Sequence, residues 1–428
     1  MEYMLGSKEW QYFTTMRKKE ITLYTTALAI KACSDFSPVL RLPPIVNTLH
    51  ADLQRLAACS RGNSSHKKFK LNKLYKEVAK KLSNVVDAEY IKVINGTTGH
   101  IKIVSDSPLE WLRIDGLPLM LRNSASRIPT TPGNLFFAKM VQNFPLVVPV
   151  SAFSEVLIIR SFHANDLLKK SLTDAVNLFT SVASQTTLTL RFVDVSCKQD
   201  FIDALNSYNG ALMIYDGHGK HDKETGVGGL VIGDEVIDVW SLKGEVRIPP
   251  IVILSACDTH PIDASHATTA NGFIRVGALT VLSTVLPVSG FESARFIGRL
   301  IYRIAEYLPL YTNTIDKPIR WNTVITGMQR MVYVTELIYH INTNLMIPIA
   351  DELRKKIGQE ANNFINSNSP YWYEQTLDFV SDLLYMSRSN LTERLEEQPM
   401  FSETLKYLQI GSPENILISN KSLDGIIM

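Results

Sequence analysis

Two residues in this chain carry side chains that covalent hydrolases use, and each follows an apolar run. His218 stands in the stretch ALMIYDGHG at 211–219, and Cys257 stands in IVILSACDT at 251–259. A cysteine attacks a carbonyl carbon as its thiolate, so it needs a neighbouring group that takes its proton. Histidine suits this task because its pKa lies near neutrality. If the two apolar runs are adjacent strands, the pair predicts nucleophilic catalysis by Cys257 with His218 as the base.

The residues around this pair are small, which suits a site where the backbone meets a ligand. Gly217 and Gly219 flank the histidine, and glycine allows a sharp turn and a close approach. We expect the backbone N–H groups of Gly219 and Cys257 to form an oxyanion hole, since both would face the carbonyl oxygen that gains charge. Asp216 and Asp258 adjoin the pair on either strand.

A zinc site is the alternative interpretation of the same residues. His218 and His221 have the spacing H-x2-H, and Cys257 and His260 have the spacing C-x2-H. Zinc would quench the thiolate, and it has no use for glycines on both sides of His218. We therefore expect neither a metal nor another cofactor here.

The runs that lead to the pair belong to a series of short apolar segments separated by helical patterns. Such alternation is typical of an α/β fold with a mostly parallel sheet and helices on both faces. Sites in these sheets form at the carboxyl ends of the strands. The predicted strands are 156–160, 188–195, 211–215, 251–255 and 279–286. The predicted helices cover 164–184, 199–207 and 265–276, and another begins near 291. Alternating residues at 89–95 and 100–104 around NGTTG predict a hairpin.

Helical periodicity at both ends divides the chain into three regions. We expect a helical region at 1–84, the α/β domain at 85–310 and a second helical region at 311–428. Residues 61–81 contain eight Lys or Arg and one acid, Glu77. This segment is either a solvated helix face or a patch that binds nucleic acid.

Composition and charge exclude several classes of protein. The net charge of +2 provides no global field that would attract a polyanion. Four cysteines are too few and too dispersed for a disulfide framework, which indicates a reducing compartment. No apolar run approaches the roughly 20 residues of a membrane span, and the first residues lack a signal-peptide pattern. We expect a soluble cytoplasmic protein that does not bind membranes.

A strand that ends in GHG, followed by one that ends in LSACxT, resembles the CHAT domain family of caspase-like cysteine peptidases. Three further segments resemble the same family, and the likeness covers about 85–310. These segments are 106–122, 122–130 and 270–288. The resemblance implies a caspase-like fold and a cysteine endopeptidase with a Cys-His dyad. In this chain Cys257 matches the nucleophile, His218 the catalytic histidine and Gly219 the oxyanion-hole glycine.

The resemblance also implies a charged substrate pocket and a controlled activity. Relatives often select Arg or Lys with an acidic pocket, for which Asp216 and Asp258 are the candidates; the alternative for each is a turn cap. This chain departs from many members in the acid before GHG and in Leu286-Pro287, where a tryptophan is common. CHAT domains occur beside helical sensor modules in bacterial antiviral defence, which implies a protein substrate and an activating protein or nucleic-acid-sensing complex. The alternative is a catalytically silent adaptor with the same fold.

Overall fold

The structure is a computed structural model, and it describes residues 7–34, 36–62, 66–130, 135, 137, 145–180, 188–222, 224–264, 266–315 and 317–420. The strands in these residues are β1 (Ile101–Val104), β2 (Arg113–Ile114), β3 (Leu117–Pro118), β4 (Ala125–Ile128), β5 (Leu146–Pro149), β6 (Glu155–Ser161), β7 (Thr189–Asp194), β8 (Leu212–His221), β9 (Gly228–Ile232), β10 (Glu235–Ile237), β11 (Ile251–Ser255), β12 (Thr280–Thr284), β13 (Ile319–Arg320), β14 (Tyr407–Gly411) and β15 (Ile416–Ser419). The helices are α1 (Lys8–Ser34), α2 (His50–Arg61), α3 (Lys67–Val85), α4 (Ala88–Asn95), α5 (Leu119–Arg122), α6 (Ser171–Thr180), α7 (Lys198–Asn206), α8 (Thr269–Val276), α9 (Gly290–Thr314), α10 (Trp321–Thr343), α11 (Asp351–Asn366), α12 (Trp372–Leu383) and α13 (Arg388–Glu397).

A central sheet of ten strands organises the part of the chain that the structure describes. Eight strands lie in the order β1-β4-β14-β12-β11-β8-β6-β7, and β9 and β10 extend from the far end of β8. The pairs on this path are parallel except for β12 with β14. The predicted α/β fold with a mostly parallel sheet is therefore confirmed.

Side chains along the central strands alternate between two apolar cores. In β6, Val156 and Ile158 pack against α6 and α9, whereas Leu157 and Ile159 pack on the other face with α7 and α8. Successive side chains of a strand point to opposite faces, so a continuous apolar run is buried on both. Helices cover both faces of the sheet, as the sequence predicts.

The predicted hairpin around NGTTG is wrong in its first half. Residues 88–95 form α4, and its N-cap residue Asp87 accepts a hydrogen bond from the Glu89 N–H at 2.8 Å. Tyr90, Ile91 and Ile94 pack against the core from one side of this helix, a spacing that fits a helix as well as a strand. β1 is formed as expected, but its partner is the parallel strand β4.

The region predicted to be helical at 311–428 also supplies a strand to the central sheet. β14 lies between β12 and β4, and the ring of Tyr407 stacks on Phe296 of α9 with centroids 4.1 Å apart. β15 forms a small second sheet with β13 and β5. The short run KYLQIG has no local partner, so only its distant pairing identifies it as a strand.

One apolar core contains residues from all three predicted regions. Leu56 of α2, Trp111 and Phe401 belong to it, and Tyr75 of α3 stacks on Phe401 with centroids 4.9 Å apart. The division at 84 and 310 stays a prediction about sequence regions, and these regions pack against one another. Within the described ranges, no helix has the length and apolarity that a membrane crossing needs.

Candidate active site

Two adjacent parallel strands bring the predicted pair to one edge of the sheet. β8 and β11 are in register, and the last pair of residues is Asp216 with Ser255. His218 and Cys257 each follow two residues later, so they lie at the same level along the two chains. Both side chains line one pocket. The juxtaposition that the sequence predicts for His218 and Cys257 is present in the structure.

The GHG segment is not a turn, contrary to the expectation from its glycines. β8 continues through it to His221, and His218 pairs with Val231 of the antiparallel strand β9. Gly217 and Gly219 are not among the glycines with positive φ. Instead, a Cβ on Gly219 would lie 2.2 Å from the Cys257 carbonyl oxygen. Glycine is required there because the backbones of the two site segments nearly touch.

A carboxylate that the sequence analysis missed contacts the histidine. Asp166 Oδ2 lies 2.7 Å from His218 Nε2, and the hydrogen bond from His218 lowers the pKa of Asp166. The edge of Phe162 faces the imidazole, with ring centroids 5.7 Å apart. Asp166 stands in the loop after β6 and before an amphipathic helix. Its position beyond a neighbouring strand, at the same sheet edge, is the signal that would have found it.

The Cys257 thiol is held by the backbone of the opposite wall. Its Sγ donates to the Val288 carbonyl oxygen and accepts from the Val288 N–H, both at 3.4 Å. Burial raises the pKa of Cys257, and the charge of Asp258 adds to this increase. The thiol is therefore in its protonated, weakly nucleophilic form in this conformation.

The pocket has a cavity volume of about 50 Å³ and combines apolar walls with a polar base. Phe162, Leu168, Leu172, Val288 and Ala294 contribute the apolar walls. A side chain that enters it would meet the polar base, which consists of Asp216, Ser255 and Ser293.

Asp216 is a buried acid in this base. Its Oδ1 accepts a hydrogen bond from the Ser255 hydroxyl at 3.1 Å, and Ser255 in turn lies 2.9 Å from Ser293. Asp216 Oδ2 is buried and has no hydrogen-bond partner in the described part of the chain. Burial raises the pKa of Asp216 to about 7. Asp216 lines the pocket, and a cationic group that reached its unpartnered Oδ2 would supply the missing hydrogen bond.

Asp258 has a different environment from Asp216. It has a positive φ of 53° directly after Cys257, and its Oδ1 lies 2.9 Å from Arg61 Nη2. Arg61 also binds Asp263, with 2.6 Å between Nη1 and Oδ2. Arg61 is the last residue of α2, so this ion-pair cluster joins the amino-terminal helices to the segment that carries Cys257. The structure brings Asp216 into the pocket and pairs Asp258 with Arg61.

The residues of the alternative zinc site do not share one environment. His260 is buried, and its Nδ1 lies 3.0 Å from the Thr268 hydroxyl. Burial lowers the pKa of His260 to about 3. Among the described residues, no group of three or more His, Cys, Asp or Glu side chains is arranged to hold a metal ion. His260 therefore belongs to the interior of the segment that supports Cys257.

Comparisons with known proteins give a distant structural likeness. No model of a known protein family matches the chain, and no curated protein matches it. Among solved structures, 22 chains match. One is the separase–securin complex of Saccharomyces cerevisiae, at 13% identity and a TM-score of 0.35; the match covers 76% of this chain and 24% of that chain. The chain thus spans about a quarter of that neighbour's length.

Proposed function

We propose that this chain is a caspase-like cysteine endopeptidase of the CHAT type, with Cys257 as nucleophile and His218 as base. The observation that carries this proposal is the placement of both side chains at the ends of adjacent parallel strands, in one pocket. His218 takes the thiol proton, and the Cys257 thiolate adds to the scissile carbonyl carbon. The N–H groups of Gly219 and Cys257 stabilise the oxyanion.

The remaining steps return the enzyme to its starting state. The tetrahedral intermediate collapses, the carbon–nitrogen bond breaks, and the leaving amine takes the proton from His218. This leaves a thioester between Cys257 and the acyl part of the substrate. A water molecule, deprotonated by His218, attacks the thioester and releases the carboxylic acid, and the thiol recovers its proton.

Asp216 gives the proposed enzyme its preference for Arg or Lys before the scissile bond. Asp216 lines the pocket and its Oδ2 is buried without a partner, so a substrate cation that reaches this oxygen would form a charge-assisted hydrogen bond. The apolar walls would contact the methylene groups of the same side chain. Asp258, paired with Arg61, contributes to the position of the nucleophile segment.

Activity in this proposal is controlled, because the resting site is not ready for attack. The Cys257 thiol is engaged by Val288 and its pKa is raised. An activating protein or nucleic-acid-sensing complex, in a bacterial defence system, would shift this loop. Exposed Lys70, Lys73 and Lys80 on α3 offer a surface for a polyanionic trigger. Four free cysteines fit a reducing, cytoplasmic location.

A catalytically silent adaptor with the same fold is the second candidate function. The burial of Cys257 favours it, because burial raises the pKa of the thiol and leaves it weakly nucleophilic. The two functions differ in whether any condition frees the thiol.

Cysteine alkylation across the pH range distinguishes the two candidates. The rate at each of Cys33, Cys59, Cys197 and Cys257 is measured by peptide mass mapping, on the wild type and His218→Ala. If the chain is a peptidase, Cys257 reacts faster than the other three cysteines near neutral pH, either in the chain alone or after a trigger is added. In His218→Ala, Cys257 loses this higher rate. A Cys257 that never reacts faster, together with no cleavage of Arg or Lys peptides, supports the adaptor.

A further inference from the structure

We propose that Asp166 is a positioning residue for His218: it fixes the imidazole tautomer that leaves Nδ1 free to accept the thiol proton. This inference rests on the proposed function of Cys257 and His218. It adds a third side chain to a site that the sequence indicates as a pair.

The first step is the assignment of the ring protons. An ionised carboxylate only accepts hydrogen bonds, so the contact of 2.7 Å between Asp166 Oδ2 and His218 Nε2 requires a proton on Nε2. In a neutral imidazole the other nitrogen then carries the lone pair. Within the described part of the chain, His218 Nδ1 has no hydrogen-bond partner, so this lone pair is available.

The second step concerns how firmly the carboxylate is held. Asp166 is the N-cap of the 3-10 helix Leu167–Lys170, and its Oδ1 accepts the Leu168 N–H at 2.9 Å. Its own N–H donates to the His163 carbonyl oxygen at 3.0 Å. One carboxylate oxygen is therefore committed to the backbone and the other to the ring. A side chain with both oxygens engaged holds its partner in one orientation.

The third step concerns the charge that appears during catalysis. When the ring takes the thiol proton it becomes a cation, and the adjacent Asp166 carboxylate stabilises it. The other titratable groups that act on this pair are His163 on the same loop and Asp216 on β8. Asp166 alone among these is hydrogen-bonded to the ring.

The variant Asp166→Asn tests the tautomer directly. Its side-chain oxygen would still accept the Leu168 N–H, since asparagine is also a good N-cap residue. Its NH2 group would then face Nε2 as a donor and favour the tautomer with the proton on Nδ1. We expect kcat on an Arg or Lys peptide to fall by about 10³–10⁴-fold with little change in KM. The melting temperature should change little.

Asp166→Ala is the second variant, because a positioning role and a structural role predict opposite orders of activity for Asp166→Asn and Asp166→Ala. Alanine removes both the cap and the ring contact but leaves the ring free to choose its tautomer. Positioning predicts that Asp166→Asn is at least as inactive as Asp166→Ala while it is more stable. A purely structural role predicts activity in the opposite order, because asparagine keeps the cap.

Asp238→Asn is the matched control for the capping function. Asp238 caps the 3-10 helix Val239–Leu242 by accepting the Trp240 N–H at 2.9 Å, the same arrangement without a histidine. We expect this variant to keep wild-type activity.

Nitrogen NMR of the His218 ring separates this inference from the proposed function, since it needs no turnover. Spectra of the ¹⁵N-histidine protein are recorded at about pH 8, where an unperturbed imidazole is neutral, and His218→Gln assigns the signal. The proton is expected on Nε2 in the wild type and on Nδ1 in Asp166→Asn. Identical tautomers in the two proteins would overturn the role of Asp166. If the tautomer shifts but no peptide is cleaved and Cys257 never reacts faster than the other cysteines, the positioning contact stands and the peptidase proposal fails.

Discussion

Two of the carboxylate–histidine pairs in the described residues lie in different parts of this molecule and differ in what surrounds the histidine. Asp166 and His218 meet at the carboxyl edge of β8, beside Cys257. At the other end of the sheet, His100 Nε2 lies 3.3 Å from Glu414 Oε2, and Lys102 Nζ lies 2.6 Å from Glu414 Oε1. Both pairs place a histidine against a carboxylate, so the contact itself does not separate them.

The difference lies in what remains free on each ring. His100 has both nitrogens engaged, since Nε2 also lies 3.0 Å from the Ser126 hydroxyl and Nδ1 lies 2.7 Å from Asn322 Nδ2. Its side chain is 15% exposed, against 45% for His218. A histidine acts as a base only if one nitrogen can reach a reacting group. We infer that the His100 pair stabilises the fold and that the His218 pair serves the pocket.

Removal of each histidine should affect a different property: the loss of His218 should abolish activity, and the loss of His100 should lower stability. The largest effect is expected at His218. We expect His218→Ala to reduce peptide hydrolysis by about 10³-fold or more, because the general base is lost, with a nearly unchanged melting temperature. We expect His100→Ala to lower the free energy of unfolding by about 1–3 kcal/mol, because buried partners are left unpaired. Its activity per folded molecule should remain. Steady-state kinetics and urea unfolding on both variants check this, and an inactive but stable His100→Ala would contradict it.

The carboxylate of the structural pair should carry a pH-dependent part of the stability. Burial disfavours the ionised form of Glu414, but the charge of Lys102 and the hydrogen bond from His100 outweigh it, so the pKa of Glu414 lies well below its usual value. A carboxyl whose pKa is lowered by folding stabilises the protein above its unfolded pKa of about 4.3, and this stability is lost as the pH falls further.

We expect Glu414→Gln to lower the free energy of unfolding at pH 7 by about 1–3 kcal/mol, since the half-buried Lys102 loses its partner. The loss should shrink between about pH 5 and pH 3, measured by urea unfolding. Glu89→Gln is the control, because Glu89 pairs with Lys92 where both side chains are more than 70% exposed. Equal effects of the two variants would show that the buried cluster adds nothing.

The parts of the fold that could be predicted are those encoded by local patterns. The apolar runs at 156–160 and 251–255 became β6 and β11 because a strand buried on both faces needs continuous apolar residues. The placement of His218 and Cys257 at one sheet edge could be predicted for the same reason, since each closely follows such a run. Asp166 and Glu414 were missed because these contacts join residues 52 apart or more, and the sequence around each shows only a cap or a turn.

The errors have local causes as well. NGTTG between apolar residues favours a hairpin. Asp87 instead caps the helix α4, whose apolar side packs against the core. The glycines around His218 indicated a turn, but Gly219 is required by the Cys257 backbone opposite it, and a Cβ on Gly217 would meet the Tyr215 hydroxyl and the Ser161 carbonyl oxygen. A glycine that is needed for close approach cannot be told from a turn glycine by sequence alone.

Asp216, the buried acid of the pocket, tests whether a residue can serve function while it lowers stability. Burial raises the pKa of Asp216 to about 7. A carboxyl whose pKa is raised by folding destabilises the protein as the pH rises from its unfolded value near 4 to above 7, because the folded state then has to bury a charge. We expect Asp216→Asn to raise the free energy of unfolding at pH 8 by about 1–3 kcal/mol and to change it less at pH 5.

Asp216→Asn should also lose the preference for Arg or Lys substrates that the buried carboxylate provides. We expect kcat/KM for peptides with Arg or Lys before the scissile bond to fall by about 10²-fold, relative to peptides with a neutral residue there. Asp258→Asn is the control, because Asp258 pairs with Arg61 outside the pocket, and its preference should stay that of the wild type. A lost preference in Asp258→Asn with none lost in Asp216→Asn would assign the selectivity to the other acid.

The smallest expected effect concerns the partly exposed ion pair between Arg61 of α2 and Asp258, which follows Cys257. This pair contains no histidine, unlike the two pairs compared above. Arg61 is 37% exposed, so its loss should cost at most about 1 kcal/mol of stability. Its influence on Cys257 should be clearer, because the charge of Asp258 raises the pKa of that thiol and Arg61 offsets this charge. We expect Arg61→Ala to slow Cys257 alkylation at pH 7 by about two- to threefold and Asp258→Asn to accelerate it by a similar factor, since one pKa unit is a tenfold change in thiolate.

The double variant should resemble Asp258→Asn, because without the carboxylate there is no charge for Arg61 to offset. Arg55→Ala is the control, as Arg55 lies on the same helix and pairs only with Asp52 and Glu77 among the described residues. Opposite changes in the two single variants would mean that the amino-terminal helices tune the nucleophile by charge; equal changes would mean that they act by packing alone.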